Sequence, residues 1–329
     1  MSASLAAPAR LTRVRRYLLH NLGLNLALAL LVVVVALYCG VYFAQQGRFP
    51  GNFELTSTVD NTMPLVLAAI AQTLVVLTRG IDLSIGGMMD LTNALAAAHM
   101  KAGIGSMLGW SALILAVGAG LGLVNGLLVA YGRLQPILVT LATLSIFQGL
   151  AIRVLPDPGG AIPQAYTDAL VNTSAPWALV YVVALALLWL GFRRSALGVA
   201  LFAVGNDERA ARANGIDVIR TKLAAYMMGG VFAALAGLVL AATATSGDAT
   251  TGDGFTLRSV VAVVLGGVSL FGGRGSAIGA MAGAFITMMI VNVLFFTAID
   301  PLYQSFFEGL FLVVVVVLGA VIGRRFRRG

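Results

Sequence analysis

The chain has 329 residues, of which 59% are of hydrophobic types and 10% are charged. Soluble domains carry about 25% charged residues, so this composition excludes an ordinary water-soluble protein. The net charge of +8 would also fit a nucleic-acid-binding protein, but Lys101 and Lys222 are the only lysines. Arginines that flank membrane spans explain the excess of positive charge better than a polybasic surface does.

The apolar runs are long and continuous. A helical span needs roughly 20 apolar residues, whereas a transmembrane barrel would show short alternating segments. The runs predict an all-α, polytopic membrane protein with about ten transmembrane helices in a single domain over residues 1–329. The predicted spans are residues 22–44, 58–78, 84–100, 108–130, 137–155, 174–192, 223–245, 257–271, 276–297 and 302–322.

Residues 1–20 contain four arginines ahead of the first apolar run, as a signal peptide does. The run is about 20 residues long, against 7–15 for the apolar region of a signal, and no A-x-A site follows it. The sequence therefore predicts an uncleaved first span, preceded by a cytoplasmic segment.

The basic residues predict the orientation. With the N-terminus in the cytoplasm, only Arg48, Lys101, Arg153 and Arg258 of the 21 basic residues fall on the outer side. Cytoplasmic loops are enriched in arginine and lysine, so the asymmetry predicts an even number of spans and two cytoplasmic termini. Residues 156–176 and 246–254 are rich in proline, glycine and aspartate and are expected to be solvated outer loops.

The residue types that usually carry catalysis or bind metals are scarce. Cys39 is the only cysteine, and His20 and His99 form no H-E-x-x-H motif, so no metal site is expected. A catalytic triad cannot be assembled, which argues against an intramembrane hydrolase. Neither lysine belongs to a G-x-x-x-x-G-K-[ST] phosphate loop. We therefore expect no catalytic residue and no cofactor in this chain, and any ATP must be bound by another subunit.

Two pairs of predicted spans are separated by glycine-rich segments. Glycine-broken segments at matching places in two halves often mark a transport pathway, and ordinary tight turns are the alternative. The similar strings Ser84-Ile85-Gly86-Gly87 and Ser276-Ala277-Ile278-Gly279 are a hint of an internal repeat. The candidate pathway or hinge residues are Gly80, Asp82, Ser84, Gly86, Gly266, Gly267, Gly272 and Gly273, together with Asp90 in the third predicted span.

Two other glycine series have a different interpretation. Gly118, Gly122 and Gly126 are spaced by four residues, and Gly275, Gly279 and Gly283 repeat the spacing. Small residues at this interval let two helices approach closely. We expect these glycines to serve helix packing.

The longest predicted inner loop, residues 193–222, contains signals for one short helix. Asn206 is a candidate N-cap, Asp207 and Glu208 would occupy the first turn, and Asn214-Gly215 is a C-cap signal. Helices below about 12–15 residues are marginal in water, so this helix either docks against a partner or remains a solvated loop helix.

Several strings resemble the permeases of ribose-, xylose-, arabinose- and galactose-type ABC importers, which belong with the branched-chain amino acid permeases. The strings follow the family's order across residues 60–290, most of the chain. They are TRGIDLSIG at 78–86, QPILVTL at 135–141, ALG at 196–198, AVGNDERAA at 203–211, GIDV at 215–218 and AVVLGGVSLFGGRG at 262–275.

The resemblance implies one subunit of a bacterial inner-membrane importer. Its partners would be ATP-binding-cassette ATPase subunits, a periplasmic sugar-binding protein and a second permease chain, identical or different. The short inner helix would be the coupling helix seated on the ATPase. Its candidate coupling residues are Asn206, Asp207, Glu208, Arg209, Ala210, Ala211, Arg212, Asn214 and Gly215.

Two acidic residues in predicted spans suggest a competing function. Asp90 falls where relatives of the family usually have a small or apolar residue, and Glu308 lies in the last span. Ionisable residues inside a span are costly and are functional candidates by default. Asp90 would either contact a sugar hydroxyl or bond to Thr92, Asn93 or a backbone group. Together with Glu308 it would otherwise form the proton relay of a secondary transporter.

Overall fold

The computed structural model describes residues 22–171 and 177–297, with positions 303, 306, 307, 309, 310 and 313. Within these residues twelve helices have defined bounds. They are α1 (Leu22–Gln46), α2 (Asn52–Val76), α3 (Ile85–His99), α4 (Ile104–Ala130), α5 (Pro136–Val154), α6 (Gln164–Leu170), α7 (Trp177–Phe192), α8 (Ala196–Asn206), α9 (Glu208–Ala213), α10 (Val218–Ala244), α11 (Asp253–Leu265) and α12 (Ala277–Phe296).

Six helices, α1, α2, α4, α5, α10 and α12, are long and apolar enough to cross a membrane. Helices α7 and α8 meet at 75° and count as one further span if taken together. Helices α3 and α11 have 15 and 13 residues and are too short to cross alone. The chain is therefore an all-helical polytopic membrane protein, as predicted. Of the predicted span 302–322 only six positions are described, and residues 1–20 and Glu308 lie outside the described part.

Helix α2 is the centre of the bundle. Residues 58–76 are all buried except Asn61, and α10, α11 and α12 pack around them. A helix that is enclosed on all sides must satisfy its polar side chains internally. The Thr62 hydroxyl donates to Thr58 O at 2.6 Å and the Thr73 hydroxyl donates to Ala69 O at 2.7 Å, so these groups are satisfied within the helix.

Five of the six glycines in the two series lie at close contacts of helices, whereas Gly275 precedes α12 and has a φ of 134°. A Cβ at Gly230 of α10 would lie 2.9 Å from the Gly118 carbonyl carbon and 3.0 Å from Gly122 N on α4. A Cβ at Gly283 of α12 would lie 2.9 Å from Gly266 N, at the end of α11. Glycine at these positions brings backbone against backbone, as in other membrane helix pairs.

The inner-loop prediction was partly wrong. Residues 193–222 contain α8 as well as the short helix, because Ser195 caps α8 by accepting from Gly198 N at 3.1 Å and Leu201 and Val204 bury its apolar face. Asn206 is the last residue of α8 and not the N-cap of the next helix.

The helix in the region of the eighth predicted span also has bounds that differ from the prediction. The helix covers Asp253–Leu265, not 257–271, because Gly266 ends it and Gly267 has a φ of 73°. Arg258 lies in the second turn of α11, and its position on the outer side stays a prediction. Residues 246–252 are not a freely solvated loop, since they run along α3. Asp248 N donates to Asn93 Oδ1 at 2.9 Å and Gly252 N donates to Asp90 Oδ1 at 2.6 Å.

The α4–α10 contact gives a stability prediction. Gly122→Ala would place a methyl group against the Tyr226 backbone and is expected to destabilise the bundle by about 1–3 kcal/mol. Gly120→Ala on the same helix is the matched control, because nothing lies within 4 Å of its added Cβ. Thermal unfolding of the purified permease in detergent measures both. Equal melting temperatures for the two variants would contradict the packing role.

Candidate functional site

Three segments that are far apart in sequence meet at the end of the bundle that carries α9. They are the turn after α2, the last residues of α8 and the glycine loop between α11 and α12. Gly273 N donates to Leu77 O at 3.0 Å, which joins the first and third segments directly. We call this meeting point the glycine junction and define it by Leu77, Arg79, Gly205, Asn206, Gly272 and Gly273.

The junction requires glycine at three positions. A Cβ at Gly205 would collide with Leu77 O and lie 3.0 Å from the Gly273 Cα. A Cβ at Gly273 would lie 2.7 Å from Asn206 N, and the φ values of Gly272 and Gly273 are 79° and 68°. Side chains would both strain this backbone and separate the three segments.

Arg79 holds the junction together. Its Nε donates to Gly205 O at 2.7 Å, and its guanidinium also donates to Asn206 O. These carbonyls belong to the last turn of α8, where acceptors lack helical partners and cationic donors are favoured. Arg79 itself has a φ of 68°, an uncommon conformation for a residue with a side chain. The turn after α2 is therefore fixed to the segment that leads into α9.

Helix α9 begins at Glu208, two residues after Asn206. Asp207 is its N-cap, and its Oδ1 accepts from Arg209 N at 2.8 Å and Ala210 N at 3.0 Å. The amides of Ala210 and Arg209 lower the pKa of the Asp207 carboxyl, and the nearby Arg79 charge acts in the same direction. The predicted first turn is thus displaced by one residue, since Asp207 provides the side-chain acceptor that Asn206 was expected to provide.

The six residues of α9 have an inner and an outer face. Ala211 is buried against Val204 and Val218, whereas Arg209, Ala210 and Arg212 are exposed. Lys222 Nζ lies 2.6 Å from Glu208 Oε1 and links the helix to α10. The helix ends at Asn214, followed by Gly215 with a φ of 80°, as the C-cap signal predicted.

The predicted pathway residues Asp82 and Ser84 lie in a buried polar network behind the junction. Asp82 Oδ1 accepts from Ser84 N at 2.8 Å and from the Ser84 hydroxyl at 2.6 Å. Asn125 Nδ2 donates to Ser84 Oγ at 2.8 Å. The Gln72 side-chain amide donates to Asp82 O at 2.9 Å. The Thr140 hydroxyl accepts from Leu83 N at 3.0 Å. The network fixes the start of α3 against α2, α4 and α5.

Two more contacts contain Gly86, Gly266, Gly267 and Asp90. Gly80 lies apart from them, since an added Cβ there would be 2.6 Å from the Tyr226 hydroxyl oxygen. Gly266 and Gly267 face α12 and α1: an added Cβ at Gly267 would lie 2.6 Å from Gly23 Cα. Gly86 N donates to Thr256 Oγ1 at 3.1 Å, and Asp90 accepts from the N-cap amide of α11. Asp90 is fully buried, and its second oxygen has no hydrogen-bond partner among the described residues. Asp90 Oδ1 satisfies an amide at the start of α11 that has no helical partner, so Asp90 stabilises the start of this helix.

Sequence reasoning missed two residues. The sequence marks Arg79 only as a basic residue beside a span and as part of the TRGIDLSIG string, because the carbonyls that it binds lie 126 and 127 positions away. Asp60 is 3% exposed, and neither carboxylate oxygen has a partner within the described chain. It was overlooked because the second span was predicted to begin at residue 58, whereas α2 begins at Asn52 and places Asp60 two turns inside the helix.

Comparison with known proteins identifies the family of this chain. Residues 54–316 match the family described as branched-chain amino acid transport system / permease component. The ribose import permease protein RbsC of Bacillus subtilis is 32% identical over 91% of this chain and 92% of its own length. The autoinducer 2 import system permease protein LsrC of Yersinia enterocolitica is 34% identical over 84% of this chain and 78% of its own.

The RbsC protein of Escherichia coli K12 is 30% identical over 89% of this chain and 91% of its own length. No solved structure matches the chain with significance. The family match covers most of the polypeptide, including every segment of the glycine junction. The chain is a multi-pass membrane protein that belongs to this family of transport-system permease components.

Proposed function

We propose that this chain forms the translocation pathway of an ATP-binding-cassette importer for a monosaccharide. A periplasmic binding protein delivers the sugar, and a separate ATPase subunit supplies the energy. Relatives that import ribose and autoinducer 2 support a small polyhydroxylated substrate. The observation that carries the proposal is the attachment of α9, with its exposed arginines, to the glycine junction.

In this proposal α9 is the coupling helix. Its exposed face, with Arg209, Ala210 and Arg212, docks on the ATPase. A helix of six residues would not persist alone, and here Asp207 and the buried Ala211 hold it to the permease. Displacement of α9 would then move the turn before α3 and the loop before α12 together, because both are bonded to the same junction.

The proposed orientation in the membrane is supported by the basic residues near α9. Ten spans with both termini in the cytoplasm would place α9 on the ATPase side of the bacterial inner membrane. Arg79 and Arg133 lie beside α9, and the positive-inside rule favours a cytoplasmic location for basic residues at the ends of spans. A second permease chain would complete the pathway, and ATP would bind only to the ATPase subunits.

The first test reverses charge on the docking face. Arg209→Glu with Arg212→Glu is expected to abolish sugar uptake and sugar-stimulated ATP hydrolysis, because the two arginines face the proposed ATPase surface. The control, Arg193→Glu with Arg194→Glu, makes the same charge change in the turn between α7 and α8. Uptake by the reconstituted complex is the measurement. Normal uptake by the Arg209/Arg212 variant would exclude α9 as the coupling helix.

The second test loosens the junction. Arg79→Asn removes the donors to Gly205 O and Asn206 O, while asparagine tolerates the positive φ. Hydrogen bonds from charged groups contribute about 1.5–3 kcal/mol, so sugar transported per ATP should fall by about tenfold or more. ATP hydrolysis should continue. Arg194→Asn is the matched control, and an unchanged transport ratio in Arg79→Asn would show that the junction does not transmit the motion.

The third test separates the importer from a proton-coupled transporter. Proteoliposomes that contain the permease and a proton gradient but no ATPase should take up no sugar. The bond between Asp90 and Gly252 N accounts for this carboxylate without a proton relay. Gradient-driven uptake that Asp90→Asn abolishes would establish the secondary transporter instead.

A further inference from the structure

A cleft of about 750 Å³ opens beside the glycine junction, between the end of α4, helix α9 and the start of α10. Its charged lining comprises Arg79, Arg133, Arg212, Lys222, Glu208 and Asp217. The coupling role of α9 does not by itself require a cleft on the α4 side.

The cleft has an uncompensated positive charge. Glu208 is already paired with Lys222, and Asp217 Oδ2 lies 3.2 Å from Arg220 Nε. Arg79 is engaged by the α8 carbonyls. No hydrogen bond or ion pair within the described chain engages Arg133, so its guanidinium group at the cleft remains available for an anion.

A buried donor also lines the cleft. The Tyr226 side chain is 1% exposed, and its hydroxyl has no hydrogen-bond partner among the residues that the structure describes. A ligand oxygen in the cleft would satisfy it.

An apolar track leads away from the cleft along α4. Leu123, Leu127 and Ala130 follow one another at helical spacing, and Ala130 lines the cleft. Leu123 and Leu127 are 37% and 41% exposed, and Leu134, at the cleft itself, is 51% exposed. The track thus connects a basic pocket at the end of the bundle to the surface that faces the membrane interior.

We infer that this cleft binds the phosphodiester headgroup of an anionic glycerophospholipid, with an acyl chain on the α4 track. Arg133 binds the phosphate and Tyr226 donates to a headgroup oxygen. Arginine matches phosphate geometry, and basic pockets between helices on the cytoplasmic side are typical anionic lipid sites. An acidic segment of the ATPase could pair with the basic residues of the cleft, but it would leave the apolar track on α4 without a partner. The inference rests on the proposed cytoplasmic side of α9, but not on the sugar.

The probe is a photoactivatable phosphatidylglycerol in nanodiscs that contain the permease with its ATPase subunits. Photoactivatable phosphatidylcholine at the same mole fraction is the comparison lipid. Cross-linked peptides are mapped by mass spectrometry. Labelling around Leu127–Leu134 should favour phosphatidylglycerol by about fivefold, the effect of about 1 kcal/mol from one basic residue. Equal labelling by the two lipids would overturn the inference, whether or not any variant folds.

Variants locate the site. Arg133→Asn should remove the preference for phosphatidylglycerol, and asparagine accommodates the φ of 54° at this position. Arg133→Lys should retain most of the preference, and Arg194→Asn all of it. Matching elution profiles and melting temperatures establish that Arg133→Asn is folded. A preference that persists in folded Arg133→Asn would contradict the assignment.

Two further conditions in the cross-linking experiment test whether a small anion or the ATPase occupies the cleft instead of a lipid. Excess inorganic phosphate should not reduce the labelling, and a loss of labelling would indicate a site for small anions instead. Labelling that appears only when the ATPase subunits are removed would show that the ATPase covers the cleft, and would also overturn the lipid site. Sugar uptake and ATP hydrolysis in phosphatidylcholine test the proposed function separately, because the importer assignment does not require the lipid.

Discussion

The organisation of the α9 end depends on the bond between Arg79 and the last carbonyls of α8. Those carbonyls have no helical partners, and the following residue must already cap the next helix. Arg79 satisfies the acceptors while Gly205 and Gly273 let the backbones touch. As a result, a helix too short to persist alone has a fixed position, and two distant loops share one anchor with it.

The same constraint recurs in the bundle interior. In hydrocarbon every polar group needs an internal partner, so the polar residues of this chain form bonded networks. Asp82, Ser84 and Asn125 fix the start of α3, and Asp90 fixes the start of α11. The carboxyl groups of Asp82 and Asp90 therefore hold the N-termini of the short helices α3 and α11. The turn before α3 and the loop after α11 contribute to the glycine junction. Asp60 and the Tyr226 hydroxyl have no such partner within the described chain and depart from this pattern.

Much of the fold follows from local sequence. Apolar length alone predicts the long helices, glycine spacing predicts the contacts of Gly122 and Gly283, and Asn214-Gly215 predicts the end of α9. Two of the errors share a physical cause, since they depend on contacts between residues distant in the chain. Asp90 and Gly252 are 162 positions apart, and nothing in the pattern around either indicates the other. Likewise, both Asn206 and Asp207 favour N-caps, and only the packing of α8 decides between them.

The most direct measurement is of distances between spin labels on α9 and on the glycine loop in the assembled transporter. Labels at Ala213 and at Phe271, which is 87% exposed, would be introduced after Cys39→Ala. We predict that this distance stays unchanged between nucleotide-free and ATP-bound states, while the distance from Ala213 to Lys101 at the opposite end changes. An ATP-dependent shift between Ala213 and Phe271 would contradict a junction that moves as one unit.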